Sequence, residues 1–395
     1  MDIKVRNGDS LWYYSNLFNV PLDLIVDSNL DADPSSLQIG QTIRIPGYQT
    51  SRYQVQSGDT FWKIASERRI SLDSIALLNP SVNPRKLQVG QTIVIPVQVT
   101  YRVVDGNRPY DFNILTNDLN ELYELYPFIR RQTIGNSVMG KDLDEIQIGR
   151  GGKIVHWNGS FHANEWITSA VIMQFLNEYL LALTNKETIR GLEMNPFYNQ
   201  VTLSIVPMVN PDGVNLVLNG PPEGNFGEEA SRINSGSTDF SGWKANIRGV
   251  DLNNQYPAKW EVDAARKPTE PSPRDFPGYQ PLTEPETVAM AELARDRNFE
   301  KMLAFHTQGE VIFWGYEGLE PPRSMTIVNE FGRVSGYEPI RYVDSFSGYK
   351  DWFIQEFRQP GFTVELGEGV NPLPLDQFDE IYQETIGIFL ASLYM

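Results

Sequence analysis

The sequence contains no cysteine and only three histidines among its 395 residues. The lack of cysteine excludes disulfide bonds, thiolate metal ligands and a cysteine nucleophile. Any zinc-type site in this chain therefore has to use histidine and carboxylate ligands.

Positive charge and long apolar runs are also scarce. The 33 Lys and Arg against 50 Asp and Glu give a net charge of −17, which argues against nucleic acid or an anionic membrane as a partner. The longest apolar stretches, such as AVIMQFLNEYLLAL, are interrupted by Gln, Asn and Glu, so no membrane span is expected.

The N-terminal MDIKVRNGDSLWYY has no apolar segment followed by small residues. No secretory signal is predicted, and we expect synthesis in the cytoplasm.

The first hundred residues contain a repeat. VRNGDSLWYY begins at Val5 and aligns with VQSGDTFWKI at Val55, and LQIGQTIRIP aligns with LQVGQTIVIP at the same offset of fifty residues. Each copy has a strand pattern, a Gly-Asp-(Ser/Thr) helix start, a second helix and an alternating strand that ends at proline. We predict two tandem βααβ modules, residues 1–48 and 51–98.

These repeats resemble the LysM module over Ile3–Pro46 and Tyr53–Pro96, through the Gly-Asp-(Ser/Thr)-x-Trp start and the Gly-Gln-x-Ile end. The resemblance implies binding to N-acetylglucosamine polymers, here the glycan of peptidoglycan. A pair of spacer modules without a ligand is the alternative interpretation.

A larger unit, residues 107–395, follows the repeats. Amphipathic helical patterns alternate in it with apolar runs such as KIVHWNG, VTLSIVPMV and GFTVELG. This alternation predicts an α/β domain with a parallel or mixed sheet. Loops rich in Gly, Pro, Ser and Asn lie between Gly220 and Pro285, and loops of this length are expected to border a site.

Polar residues occur where predicted strands of this unit end. His162 and Glu165 follow KIVHWNG, and His306 follows KMLAF. Two histidines and one glutamate would form a three-ligand zinc site with an open position, as metal-assisted hydrolysis requires. A His-x-x-Glu pair alone also fits an ordinary surface turn.

Two further polar residues, Glu365 and His156, lie within predicted strands. Glu365 interrupts the apolar run GFTVELG, and a partly buried carboxylate at that position is suited to act as a general base; a solvated glutamate at a strand end is the alternative. His156 alternates with apolar neighbours on a strand, so we expect a core role for it. No Gly-x-Ser-x-Gly motif is present, which argues against a Ser-His-Asp hydrolase.

The stretch from Tyr110 to Met395 resembles the zinc carboxypeptidases of the M14 family. The shared motifs, in order, are His-x-x-Glu, MVNPDGV, GVDLN, a late histidine and a glutamate near the C-terminus. The resemblance implies an α/β/α domain around a mixed sheet and one zinc ion per chain. It also assigns three zinc ligands, a general base and a carboxylate that hydrogen-bonds the first histidine: His162, Glu165 and His306, then Glu365, then Asp251.

The sequence departs from this family at the substrate-binding positions. Asn254 replaces the arginine that pairs with a terminal carboxylate, Asn164 replaces a second arginine, and Asn253 is assigned to the same site. Loss of a bidentate carboxylate clamp predicts a weaker requirement for a free C-terminus.

Two other family positions align less directly. The oxyanion-stabilising arginine corresponds to Lys244, with Arg248 as the alternative. The mobile tyrosine of the family is assigned to Tyr342, although an ungapped count back from Glu365 ends at Val343.

Over the whole chain, the two modules and the altered peptidase resemble the bacterial γ-D-glutamyl-L-diamino acid endopeptidases. This resemblance implies a peptidoglycan hydrolase that cuts stem peptides between γ-D-glutamate and meso-diaminopimelate or lysine. It further implies action on the cell wall or spore wall of a sporulating bacterium. The alternatives are a zinc carboxypeptidase or amidase on cell-wall peptides, and a non-catalytic glycan-binding scaffold.

Overall fold

The computed structural model describes residues 1–395, and the chain divides into two compact units. Both predicted modules lie in the first unit, which also includes two segments from within residues 107–395. Unit 1 comprises Met1–Val103, Asp118–Arg130 and Asn177–Asn195; unit 2 comprises Val104–Asn117, Arg131–Leu176 and Pro196–Met395.

Each repeat in unit 1 folds as a βααβ module, as predicted, with its two strands paired antiparallel. The elements are β1 (Asp2–Lys4), α1 (Leu11–Phe18), α2 (Leu22–Asp27) and β2 (Thr42–Arg44), then β3 (Tyr48–Gln54), α3 (Phe61–Arg68), α4 (Leu72–Leu78) and β4 (Thr92–Gln98).

The fifty-residue period is preserved in the hydrogen bonds of the modules. The hydroxyls of Ser10 and Thr60 each accept from a backbone N–H in the first turn of the following helix, which is the N-cap role expected of these residues. The buried amides of Asn29 and Asn79 each bond both the N–H and the carbonyl of one residue in the closing strand. Matching side chains therefore stabilise both modules in the same way.

A two-pronged ion pair joins the modules. The Arg6 guanidinium donates to both carboxylate oxygens of Asp73 at 2.9 and 2.6 Å, and the Tyr13 hydroxyl donates to the same carboxylate. Bidentate arginine–carboxylate contacts are directional, so they define the orientation of one module against the other.

The modules also contact helix ends within unit 1. The Gly47 N–H donates to the Leu125 carbonyl at 2.9 Å, and a Cβ on Gly47 would lie 2.8 Å from Thr184 Cβ. The Gln98 amide donates to Asn185 Oδ1 at 2.6 Å. Removal of the modules would therefore expose surfaces that they cover in unit 1.

The remaining helices and strands, with three short 3₁₀ turns, alternate along the chain. They are α5 (Phe112–Leu125), β5 (Arg130–Asn136), β6 (Asp142–Gly149), β7 (Lys153–Gly159), a 3₁₀ turn (Ala163–Glu165), α6 (Ile167–Asn185), β8 (Thr188–Ile189), β9 (Leu192–Glu193), α7 (Asn195–Gln200), β10 (Val201–Val206), α8 (Pro211–Asn219), α9 (Asn225–Ile233), a 3₁₀ turn (Leu252–Asn254), α10 (Trp260–Ala264), α11 (Pro285–Arg297), β11 (Lys301–Thr307), β12 (Val311–Phe313), α12 (Arg323–Ser335), β13 (Glu338–Ile340), α13 (Tyr349–Phe357), β14 (Gly361–Leu366), a 3₁₀ turn (Leu375–Gln377) and α14 (Phe378–Tyr394).

An eight-stranded mixed sheet forms the centre of the larger unit, in the order β13-β12-β14-β11-β7-β10-β6-β5. Its central strands β10, β7, β11 and β14 are parallel neighbours. Strand β6 pairs antiparallel with β10, and β12 pairs antiparallel with β14 but parallel with β13. The prediction of an α/β domain with a mixed sheet is confirmed.

Helices cover both faces of this sheet, as two consecutive residues of β7 show. The Trp157 ring lies 5.8 Å from Phe175 of α6 and 4.8 Å from Phe389 of α14. The next residue back, His156, stacks at 4.3 Å on Phe299, which belongs to the apolar cluster that contains residues of α11 and α13. Successive strand residues point to opposite faces, so the domain is a helix–sheet–helix sandwich.

His156 has the core role predicted for it. The residue is fully buried, its Nδ1 lies 3.1 Å from the Ser204 hydroxyl, and burial lowers its pKa to about 3. A histidine with this pKa stays neutral at physiological pH and packs as an aromatic ring.

One helical stretch, Ala163–Asn185, meets the length and composition of a membrane span, and 94% of its apolar window is buried within the protein. The core helix of a folded domain meets the same criteria. The stretch is therefore weak evidence for a membrane span.

Candidate metal centre and catalytic cleft

The predicted site residues lie at the carboxyl ends of the parallel strands, the usual ligand edge of such sheets. His162 follows β7 and begins the 3₁₀ turn that contains Glu165. His306 of β11 and Glu365 of β14 are direct partners in the strand register. Residues opposite each other in neighbouring strands point to the same face, which places Glu365 beside a predicted ligand.

Three of these side chains converge on one point. His162 Nδ1 lies 2.8 Å from Glu165 Oε1, His306 Nδ1 lies 2.9 Å from Glu165 Oε2, and the two Nδ1 atoms are 3.1 Å apart. All three residues are at most 5% exposed. The structure thus brings together His162, Glu165 and His306, as predicted.

The electrostatics of this triad favour a cation. Burial, the largest single effect, opposes protonation of His162, but the Glu165 and Asp251 carboxylates together outweigh it and raise the His162 pKa to about 9. Burial lowers the pKa of His306. The pKa of Glu165 is depressed despite burial, because both histidines lie beside its carboxylate.

The donor set fits zinc. Four tetrahedral ligands at about 2.0–2.1 Å from zinc are separated by about 3.3–3.4 Å, close to the 2.8–3.1 Å separations of these atoms. Two imidazole nitrogens facing each other need a proton or a metal ion between them, since both cannot be lone pairs at that distance.

Asp251 and Lys244 form a chain of charges behind His162. Asp251 Oδ1 lies 3.3 Å from His162 Nε2, and its Oδ2 lies 3.0 Å from Lys244 Nζ. Asp251 Oδ1 also accepts the Asn253 N–H at 3.0 Å. Burial raises the Asp251 pKa, but Lys244 and His162 reverse the effect and keep the carboxylate ionised. This geometry places Asp251 where it can orient the first histidine.

The MVNPDGV motif holds two segments of the site together through hydrogen bonds of Asn210. The Asn210 amide donates to the carbonyls of Phe161 and Ala245 at 3.2 and 3.1 Å, and its Oδ1 accepts from Gly213 N. The motif therefore ties the turn before His162 to the segment after Lys244.

A cleft of about 240 Å³ opens beside the triad, and Glu365 contributes to its lining. Burial, then the nearby Glu165 charge, raises the Glu365 pKa to about 8. The residues lining the cleft are His162, Lys244, Asn253, Asn254, Lys267, Asp275, Phe313, Val343, Ser345, Gly348, Lys350, Asp351, Thr363 and Glu365.

The structure distinguishes the two residues considered for oxyanion stabilisation. Lys244 lines the cleft, with its ammonium 3.3 Å from Asp275 as well as beside Asp251. Arg248 lies outside the cleft and contacts Glu284 at 3.4 Å. Of the two residues, only Lys244 therefore lies where it could contact a substrate bound in the cleft.

The assignment of Tyr342 is not supported by the structure. Its hydroxyl donates to Glu320 at 3.3 Å and its side chain is 51% exposed. The next residue, Val343, lines the cleft instead. The loop between β13 and α13 has no regular periodicity, so the alignment at this position could not be settled from sequence.

The three asparagines assigned to substrate binding differ in their placement. Asn253 and Asn254 line the cleft, and Asn253 Oδ1 accepts the Tyr349 N–H at 3.0 Å, which leaves its amide N–H groups as donors. Asn164 is 1% exposed and lies outside the cleft lining. Asn164 lies in the turn between the ligands with both polar atoms of its amide unpartnered, and its substrate-binding role stays a prediction.

Besides Asp275, three charged residues of the cleft were missed by sequence reasoning. The Lys267 ammonium donates to Asn254 Oδ1, so a positive charge accompanies the amide that replaces the family's arginine. Lys350 and Asp351 pair at 2.6 Å within the cleft. None of the three belongs to a spaced motif, and only the fold of their loops brings them to the site.

Comparison with protein families places two models on the chain. A zinc carboxypeptidase (peptidase M14) model matches residues 115–387. A LysM domain model matches residues 3–46 and 53–96, the ranges of the predicted repeat.

Two relatives match over much of their length. The chain is 63% identical over 396 residues to gamma-D-glutamyl-L-diamino acid endopeptidase 1 of Lysinibacillus sphaericus, with 100% of each chain covered. It is 45% identical over 296 residues to the uncharacterized protein YqgT of Bacillus subtilis (strain 168), covering 74% of this chain and 79% of that protein.

Solved structures share the fold at low identity. Bovine thrombin-activatable fibrinolysis inhibitor matches with a TM-score of 0.59 at 17% identity, covering 73% of this chain and 97% of that chain. Carboxypeptidase A from Helicoverpa armigera matches with a TM-score of 0.56 at 16% identity, covering 90% and 81%. These likenesses show a carboxypeptidase-like fold.

Proposed function

The chain belongs to the zinc carboxypeptidase (peptidase M14) family, and on this premise we propose that it is a zinc-dependent peptidoglycan endopeptidase. It hydrolyses the bond between γ-D-glutamate and the diamino acid of stem peptides. The observation that carries the proposal is the match, at 63% identity over the full length of both chains, to an endopeptidase named for that bond. The buried triad and the two LysM domains fit the same chemistry and target.

One zinc ion per chain would be held by the Nδ1 atoms of His162 and His306 and the carboxylate of Glu165. Zinc bound there would polarise a carbonyl group and lower the pKa of water. An intact donor set with a carboxylate beside it argues against a non-catalytic scaffold.

The residues around the triad have separate roles in this proposal. Glu365 accepts a proton from the attacking water and passes it to the leaving amine. Lys244 places a positive charge where the scissile carbonyl oxygen becomes negative. Asp251 keeps His162 in one orientation, and the Asn253 amide donates to the bound peptide.

The cleft explains a change of preference within the family. Asn254 lacks the planar fork with which arginine pairs a carboxylate, and Lys267 supplies a single point charge instead. A point charge tolerates an amide or a displaced carboxylate better than a bidentate fork does. The proposed substrate has such a displaced group, because a γ-linked D-glutamate carries its α-carboxylate or amide beside the scissile bond.

We expect cleavage of the γ-D-glutamyl bond in a stem tripeptide and a stem tetrapeptide, with the diamino acid at the new N-terminus. An ordinary L-peptide of equal length is the control and should stay intact. Mass spectrometry of the products identifies the bond. Release of single C-terminal residues from the L-peptide, with the γ-bond untouched, would make the protein a carboxypeptidase.

The LysM modules are proposed to hold the enzyme on the wall through its N-acetylglucosamine glycan. Trp12 and Trp62 occupy equivalent positions of the two repeats and are 67% and 70% exposed. Exposed tryptophans offer flat apolar faces that are suited to partner contact. Binding to an insoluble polymer raises the effective concentration of substrate without changing the bond that is cut, and places the action at the cell wall or spore wall.

Replacing both Trp12 and Trp62 with alanine is therefore expected to weaken sacculus binding about tenfold or more, while soluble muropeptides are cut at a similar rate. A pelleting assay and muropeptide kinetics measure the two effects. Tyr279→Ala removes an aromatic side chain that is 70% exposed in unit 2 and serves as the control. These substitutions avoid the exposed surfaces that deletion of the modules would create, and unchanged sacculus binding would contradict the prediction.

A further inference from the structure

A buried ion pair in the cleft has no role in the proposed chemistry. Lys350 and Asp351, in the first turn of α13, are 3% and 4% exposed, with Nζ 2.6 Å from Oδ1. Desolvation makes such a pair a weak contributor to stability. Its position in a ligand cleft favours a role in binding.

The Lys350–Asp351 pair retains unused hydrogen-bonding capacity. The Lys350 ammonium donates to the Gly315 carbonyl at 2.9 Å and to Asp351, which leaves one of its three N–H donors. The Asp351 carboxylate also accepts from the Gly348 backbone, and a carboxylate has about four acceptor sites. The pair therefore presents a cationic donor and an anionic acceptor side by side.

The strand register places the pair at a distance from the catalytic end of the cleft. In the pairing of β12 with β14, Val311 is opposite Glu365 and Phe313 is opposite Thr363. Gly315, which binds the Lys350 ammonium, follows two residues later and so lies at most about 13 Å from Val311. Phe313 and Thr363 line the cleft along this path.

The two diamino acids of the proposed substrate differ at the far end of the side chain. Meso-diaminopimelate ends in an ammonium and a carboxylate on one carbon, whereas lysine ends in an ammonium alone. Six bonds of about 1.5 Å in zigzag span roughly 7–8 Å from the scissile nitrogen to the distal carboxyl carbon, and a hydrogen bond adds about 2.8 Å. The sum of about 10–11 Å is comparable to the separation of at most about 13 Å between Val311 and Gly315.

We propose that Lys350 and Asp351 select meso-diaminopimelate over lysine by pairing with its distal carboxylate and ammonium. This inference rests on the proposed function and concerns specificity. A lysine side chain can pair its ammonium with Asp351 but offers no carboxylate to Lys350, so the missing contact disfavours it.

The test compares kcat/KM of the zinc-loaded full chain on three synthetic tripeptides. Each has L-alanyl-γ-D-glutamate followed by meso-diaminopimelate, by the same residue amidated at the distal carboxylate, or by L-lysine. The unmodified protein should prefer the first by about 10–100-fold, the range of a charge-assisted hydrogen bond. Lys350→Met should remove this preference by lowering the first rate only. Arg333→Met, which removes an exposed side chain of α12 paired with Glu330, should leave all three rates unchanged.

Equal rates of the unmodified protein on the free and amidated diaminopimelate peptides would overturn the inference, whether or not the variant folds. An equal loss on all three peptides in Lys350→Met would also overturn it, because a structural role lowers every rate alike. Cleavage of all three peptides at one rate would support the proposed function but would reject the selection between diamino acids. Failure to cut any of them rejects the proposed function together with the inference.

Discussion

Replacing His306 with alanine is expected to abolish both zinc binding and hydrolysis. The histidine supplies one of three buried ligand groups, and only His162 and Glu165 would remain. Changes in residues that merely orient zinc ligands cost 10–100-fold in metal affinity, so loss of a ligand should cost more than about 100-fold. Zinc per chain after dialysis, measured by mass spectrometry, gives a readout that is independent of activity.

His156→Ala is the matched control for this experiment. His156 is also buried, on the neighbouring strand β7, but its ring packs on Phe299 away from the triad. The control should lose stability through a cavity while keeping about one zinc per chain. Full zinc occupancy in His306→Ala would show that His306 is not a ligand.

Replacing Glu365 with glutamine is expected to lower kcat by about 10²–10⁴-fold, the usual contribution of general acid–base catalysis. Glutamine has the same shape but cannot accept the proton of the attacking water. Zinc content and KM should change little, because Glu365 lies beside the three ligand groups without being one of them. Steady-state kinetics and metal analysis separate the two properties.

Glu286→Gln is the control for the second experiment. Glu286 is another buried carboxylate of unit 2, and burial raises its pKa to about 7, but it does not line the cleft. Its replacement should leave kcat within about threefold while any stability change is measured separately. Near-normal turnover of Glu365→Gln would assign the general base to another residue.

The sequence by itself determined the local features of this protein. The repeat with a period of fifty residues predicted two βααβ modules. Its signals are local, since helix caps such as Ser10 and Thr60 act within one turn of the helix that they begin. Because the chain has no cysteine and three histidines, the imidazole and thiolate ligands available to a metal ion were limited to those three histidines. Motifs in a fixed order then indicated the family and its triad, and the comparisons confirmed the family.

Tertiary structure alone decided which side chains share the cleft. His306 and Glu365 are partners because β11 and β14 pair in one register, and a slip of one residue would turn Glu365 to the other face. Lys267 and Lys350 reach the cleft from loops and a helix start that carry no periodic signal. The choice of Lys244 over Arg248 likewise depended on the path of one loop. Local propensity acts over a few residues, whereas strand pairing and loop paths are set by packing between distant segments. The cleft residues outside the motifs could therefore be identified only from the folded chain.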